Sequence, residues 1–158
     1  MSLINQQPKG FMKSLQIIHI ALIAGVVLFG LYVANNAKDV LFFSSEDDKT
    51  FLFLAIIISF AGNLGSKFLY KKMIKQIPDK ADLNEKVVKF SSAHILRLAM
   101  LEFPAFMCVF FAMQTNNSFY FALVGILVFM MIAIFPTKSK FQNDVILTSK
   151  EKSMLEKL

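Results

Sequence analysis

His94-Ile-Leu-Arg97-Leu-Ala-Met-Leu-Glu102-Phe-Pro104-Ala-Phe106 is the stretch on which the fold of this chain turns. It lies inside an apolar run, 90–113, long enough to cross a bilayer, yet it carries both Glu102 and Arg97, the only arginine beside sixteen lysines. An ionisable group at membrane depth costs several kcal/mol, roughly 2.5–3.5 on insertion scales, so such a group marks a functional site by default. All other acidic side chains lie outside the apolar runs.

Four such runs stand out, at 11–33, 51–70, 92–113 and 119–135, each near the length needed to cross a hydrocarbon core about 30 Å thick. With 56% hydrophobic residues and eighteen phenylalanines in 158 residues, the chain is too apolar to cover itself with a polar surface. Helices are expected throughout, because a lipid-exposed backbone must satisfy its own hydrogen bonds. The run 11–33 exceeds a signal-peptide core and precedes Asn35-Asn36 rather than a small-residue cleavage site, so a retained span is expected. The last run is the shortest and is expected to stand upright. Pro78 ends any extension of the second helix, and Asp82 with Glu85 forms a capping-box pattern that starts the third near Leu83, giving a helix over 83–113. Thr148 and Glu151 repeat that spacing ahead of Met154, Leu155 and Leu158, predicting a short amphipathic helix in the tail 136–158, on the membrane surface or against the bundle. The expected fold is an all-α, integral membrane four-helix bundle forming one domain over 1–158.

The formal charge of +6 reports topology. The connection 67–89 carries seven lysines against three acids and the tail five more, whereas 34–50 has two and the turn 114–118 has no charge. Positive residues concentrate on the cytoplasmic side, which places both termini and the middle connection in the cytoplasm of a multi-pass protein, read as one of a bacterial plasma membrane. The basic connection is matched to anionic lipid headgroups, and no nucleic-acid partner is expected.

An internal similarity occurs at an offset of 78 residues. Ile17-Ile18-His19-Ile20-Ala21-Leu22-Ile23 aligns with Ile95-Leu96-Arg97-Leu98-Ala99-Met100-Leu101, and Gln16 falls opposite His94. A duplication would make two parallel helical hairpins, one way in which transporter folds are built.

At about 1.5 Å of rise per residue, His19 and Asn63 each lie about 4.5 Å, and Arg97 about 7.5 Å, to the lysine-rich side of their helix midpoints. Three helices thus bring a polar side chain to one layer, with Gln16 and His94 one turn nearer the cytoplasm and Glu102 just beyond it. Arg97 could instead snorkel to headgroups, and Asn63 between Gly62, Gly65 and Ser66 could serve as interhelical glue. His19 alone is equally consistent with a structural hydrogen bond. Glu102 must pair with a cation, line a wet cavity or stay protonated. It stands roughly 140° from Arg97 around the helix, and Pro104, which frees the Met100 carbonyl, supplies a potential kink beside it. Two histidines without a second carboxylate or a cysteine nearby make no metal site. Cys108 is alone, so no intrachain disulfide is expected. No phosphate loop, nucleophile set or dinucleotide fingerprint occurs, and no cofactor is expected.

The run 51–113 resembles the helical hairpin of proteolipid c-ring subunits of rotary ATPases: Lys75-Gln76-Ile77-Pro78 is similar to their polar loop, and Glu102 lies where their ion-binding carboxylate would. That resemblance implies proton or cation carriage. Leu101-Glu102-Phe103-Pro104-Ala105-Phe106 resembles a signature of the membrane-associated eicosanoid and glutathione metabolism enzymes, which implies a glutathione-transferase-like activity. The leading functional expectation is proton or cation translocation, with Glu102, Arg97, His19, Asn63, His94 and Gln16 forming the site, in a homo-oligomer or a larger membrane complex. The alternatives are a structural or accessory subunit and, third, the enzyme.

Overall fold

A computed structural model describes residues 10–36 and 48–156, and these contain six helices: α1 (Phe11–Asn35), α2 (Lys49–Lys75), α3 (Leu83–Thr115), α4 (Phe119–Ala133), α5 (Lys138–Asp144) and α6 (Ser149–Glu156). Most of the connection expected at 34–50, and Leu158 of the tail pattern, lie outside the described residues.

Three helices, α1, α2 and α3, are long and apolar enough to cross a membrane, and a fourth qualifies only if α4 and α5, which meet at 77°, count as one bent span. The expected upright span 119–135 is corrected in that respect. The α4 helix has 15 residues, about 22 Å of rise, and ends at Ala133 just before Pro136, whose ring cannot continue a helix. Helix α2 in turn outruns its predicted end, because Lys71, Lys72 and Lys75 are good helix formers and Lys72 and Lys75 complement the carbonyl end of the helix. The sequence pattern had assigned those lysines to a loop.

Helix α3 is the axis of the bundle. Its buried stripe runs His94, Leu98, Leu101, Ala105, Cys108 and Ala112, three or four residues apart as one helical face requires. α2, α4 and α1 all pack on α3, whereas α1 and α2 barely touch each other. The two parallel hairpins expected from the internal similarity are therefore not formed, since an axial helix apolar on both flanks holds α1 and α2 separately. The aligned positions also differ in setting, with His19 fully buried and Arg97 partly exposed.

One core joins Val26, Ala55, Leu98, Val109, Tyr120 and Met131. A second joins Phe11 and Leu15 of α1, Tyr70 of α2, Ile77, Val87 and Phe90 of α3, Phe141 of α5 and Leu155 of α6. This second cluster ties the start of α1, the end of α2, the 76–82 connection and the tail to one lysine-rich end of the bundle. Around the bundle a belt of large apolar side chains faces outward, and Ile17, Leu28, Phe53, Phe60, Phe68, Phe103 and Phe129 are each more than half exposed. A soluble monomer rarely carries so continuous an apolar surface.

Candidate functional site: a cationic cleft at the lysine-rich end

The capping box forms in full at Thr148–Glu151 and by half at Asp82–Glu85. The Glu85 N–H donates to Asp82 Oδ1 at 2.7 Å, while the Glu85 carboxylate pairs with Lys89 at 2.8 Å instead of completing the box. In the tail, the Thr148 N–H donates to Glu151 Oε2 at 2.7 Å and the Glu151 N–H donates to Thr148 Oγ1 at 3.3 Å. Helix α6 docks against the bundle, burying Leu155. Glu151 also accepts two 3.0 Å bonds from Lys86 Nζ, a lysine only 1% exposed on the overhang of α3. Burial alone would push the Glu151 carboxyl up, but bonds from Thr148 and Lys86 outweigh it and hold the group below its ordinary value.

The polar residues singled out in the sequence do not form one cluster. His19 and His94 come together, with Nδ1 of the first 3.0 Å from Nε2 of the second and both rings buried. One ring must donate and the other accept, so the contact holds only while the two nitrogens share a single proton. Gln16 donates to the Pro136 carbonyl at 3.0 Å, tying α1 to the segment after α4. Asn63 lies apart from these groups, in a seam between α2 and α4. Glu102 is partly exposed and makes no hydrogen bond or ion pair among the described residues. Helical phase explains the dispersal. Measured from His94, Arg97 stands about 60° to one side and Glu102 about 80° to the other. Arg97 faces α2, where its guanidinium lies 4.6 Å from the Tyr70 ring centroid. Glu102 shares the flank from which Phe106 packs on Phe29 of α1. Pro104 lies within α3 without breaking it.

Arg97 instead belongs to a cleft of about 650 Å³ between α2, α3 and the α4–α5 corner. Lys67, Lys71 and Lys75 line its α2 wall and Lys140 and Asp144 its α5 wall, with Ile74, Ala133 and Ile134 between them. The Asp144 carboxylate accepts a 2.5 Å bond from the Tyr70 hydroxyl. The Lys140 ammonium donates to the Ala133 and Phe135 carbonyls at 2.9 and 3.0 Å, closing the end of α4. The remaining cations have no carboxylate partner among the described residues, and Arg97 Nε is buried without a hydrogen-bond partner. Lys67, Lys71 and Lys75 are spaced four apart on one helix face, where like charges repel by about 0.2–0.5 kcal/mol per neighbouring pair. A multivalent anion among them would reverse the sign of that interaction. The i, i+4, i+8 spacing was visible in the sequence, and carried no weight while those positions read as a loop. Nothing in the spacing of Tyr70 and Asp144, or of Lys86 and Glu151, marks them as partners.

No family model, no curated protein and no solved structure matches the chain.

Proposed function

We propose that this chain is a small multi-span membrane protein, with its lysine-rich end in the cytoplasm, that binds a phosphate-bearing anion in the cleft around Arg97. The observation that carries the reading is the set Lys67, Lys71, Lys75 and Arg97, which line one cavity with no carboxylate partner among the described residues. A guanidinium presents its donors in a planar fork suited to phosphate, and lysines add compact point charges. The location matches, because the cleft lies at the end of the bundle where positive residues would meet anionic headgroups.

A thermal-shift titration of the purified protein with glycerol phosphate tests it, since a ligand that binds only the folded state stabilises it by RT ln(1 + [L]/Kd). A saturable rise in Tm is expected, lost in Arg97→Gln/Lys71→Gln. An equal rise in that variant, or no rise in the wild type, would remove the cleft from consideration.

A second reading, proton or cation translocation, is supported by Glu102, the acid inside α3 that has no partner among the described residues. Proteoliposomes with wild type beside Glu102→Gln decide it. Flux that Glu102→Gln abolishes supports the reading, and absence of flux from the wild type ends it.

A further inference from the structure

About one helical turn along α2 and α4 from the cleft holding Arg97 lies a second cavity of different character. This one, about 180 Å³, is walled by Ile56, Ser59, Phe60 and Asn63 of α2 and by Leu123, Leu127 and Met130 of α4, and Ser59 engages Cys108 Sγ of α3 at 3.7 Å. Lys67 follows Asn63 by one helical turn on one wall, and Ala133 follows Met130 by about one turn on the other. Asn63 supplies the amide in this apolar stretch, and its side chain makes no hydrogen bond among the described residues. Phe60 and Ile126 at the lip are 64% and 54% exposed, so the seam opens sideways, toward the apolar belt.

Resting on the reading of the cleft as an anion site, we infer that the ligand is an anionic phospholipid, with its phosphate among Lys67, Lys71 and Arg97 and an acyl chain in the α2–α4 seam. The polarity sequence along the groove matches that molecule from end to end. Cations come first, with the Asp144 carboxylate of that cleft engaged by the Tyr70 hydroxyl. Then comes one amide, Asn63, about 6 Å beyond Lys67, where it can donate to an ester carbonyl of a lipid whose phosphate lies at Lys67, then a trough whose walls from Ile56 to Asn63 span about 10 Å. A free phosphate would use only the first part. The lateral opening lets a lipid enter without leaving the bilayer. Lipid tails are as apolar as the residues lining the seam, so moving a chain from bilayer to seam adds little affinity. Selection therefore falls to the headgroup, and the seam fixes where the chain lies. It follows that headgroup preference is readable from inside the seam.

The chain contains no tryptophan, so Phe60→Trp places a lone fluorophore at the lip. In phosphatidylcholine nanodiscs, quenching is compared for brominated-chain phosphatidic acid and brominated-chain phosphatidylcholine at equal mole fraction. Phosphatidic acid is expected to occupy the seam at least threefold more strongly. Adding Arg97→Gln/Lys71→Gln should bring the ratio to one, while a tryptophan at Leu28, on the outward face of α1, shows no preference. Equal quenching by the two lipids at position 60 overturns the proposal, as does the same preference at position 28, which would mean general enrichment around a basic protein. The glycerol phosphate titration separates the two readings. A positive titration with a ratio of one at position 60 retains the anion site and removes the lipid, whereas a negative titration with a ratio of one removes both.

Discussion

Gly62 of α2 rests directly on the proline turn of α3, so closely that a Cβ placed on it would lie 2.5 Å from both the Met100 carbonyl oxygen and Pro104 Cγ. Pro104 cannot donate to the Met100 carbonyl as an ordinary residue four positions on would, and the bare face of Gly62 is what fits against that turn. Gly65, one turn along, would meet only the mobile end of the Met100 side chain, at 2.7 Å. Gly62→Ala is accordingly expected to destabilise by about 1–3 kcal/mol, the usual penalty for overpacking against groups that cannot move. Gly65→Ala should change stability little. Melting temperatures of the two purified variants check this, and equal values would show that the α2–α3 contact is looser than described.

The Lys86–Glu151 clamp predicts an asymmetry between its partners. Glu151→Gln strands a lysine that is 1% exposed and should weaken docking of α6 by about 3 kcal/mol, the low end for breaking a buried pair because Glu151 retains some water. Lys86→Met, which replaces the buried cation with an apolar chain of similar length, should leave α6 docked. Proteolytic cleavage rates after residue 145 distinguish the two, with rapid trimming expected in Glu151→Gln alone.

Docking of α6 should also depend on pH. The Glu151 carboxyl is held below its ordinary value in the folded chain, so its contribution is fully present above the unfolded value of about 4.3 and is lost as pH falls from there through the folded value. The distance between spin labels on cysteines introduced at Val88 and Ser153 should stay constant from pH 7 to 5 and lengthen below about 4. Lengthening between pH 7 and 5 would assign the transition to another group.

Between His19 and His94 a double-mutant cycle is informative. His94→Leu leaves the buried Nδ1 of His19 without its 3.0 Å partner, at an expected cost of about 1–3 kcal/mol. His19→Leu/His94→Leu should recover part of that loss, because apolar replacement of both partners is nearly neutral. Additive losses in Tm would show that the two rings do not act as a pair.

Where the helices lie was legible in the chain apart from α5, which the sequence pattern left within the tail. Leu83 opens α3 and Phe119 opens α4 as the patterns of 82–85 and the turn 114–118 predict, because hydrophobic length, Pro78 and the capping pairs are local signals. The end of α2 was missed because lysine is read as solvent, although its long apolar stem tolerates a helix that leaves the bilayer.

The sequence by itself determined an all-helical chain with four apolar runs, the last the shortest, and a charged stretch, 94–106, in the third, since each of these depends on neighbours within a few turns. Only the tertiary structure decided which polar groups meet. Depth along a helix follows from counting residues, but azimuth decides partners, and a few tens of degrees around α3 send His94 to His19, Arg97 to Tyr70 and the cleft, and Glu102 to the opposite flank. Equal depth therefore gathered these residues on paper while helical phase, fixed by the packing of α1, α2 and α4 on α3, separated them in space.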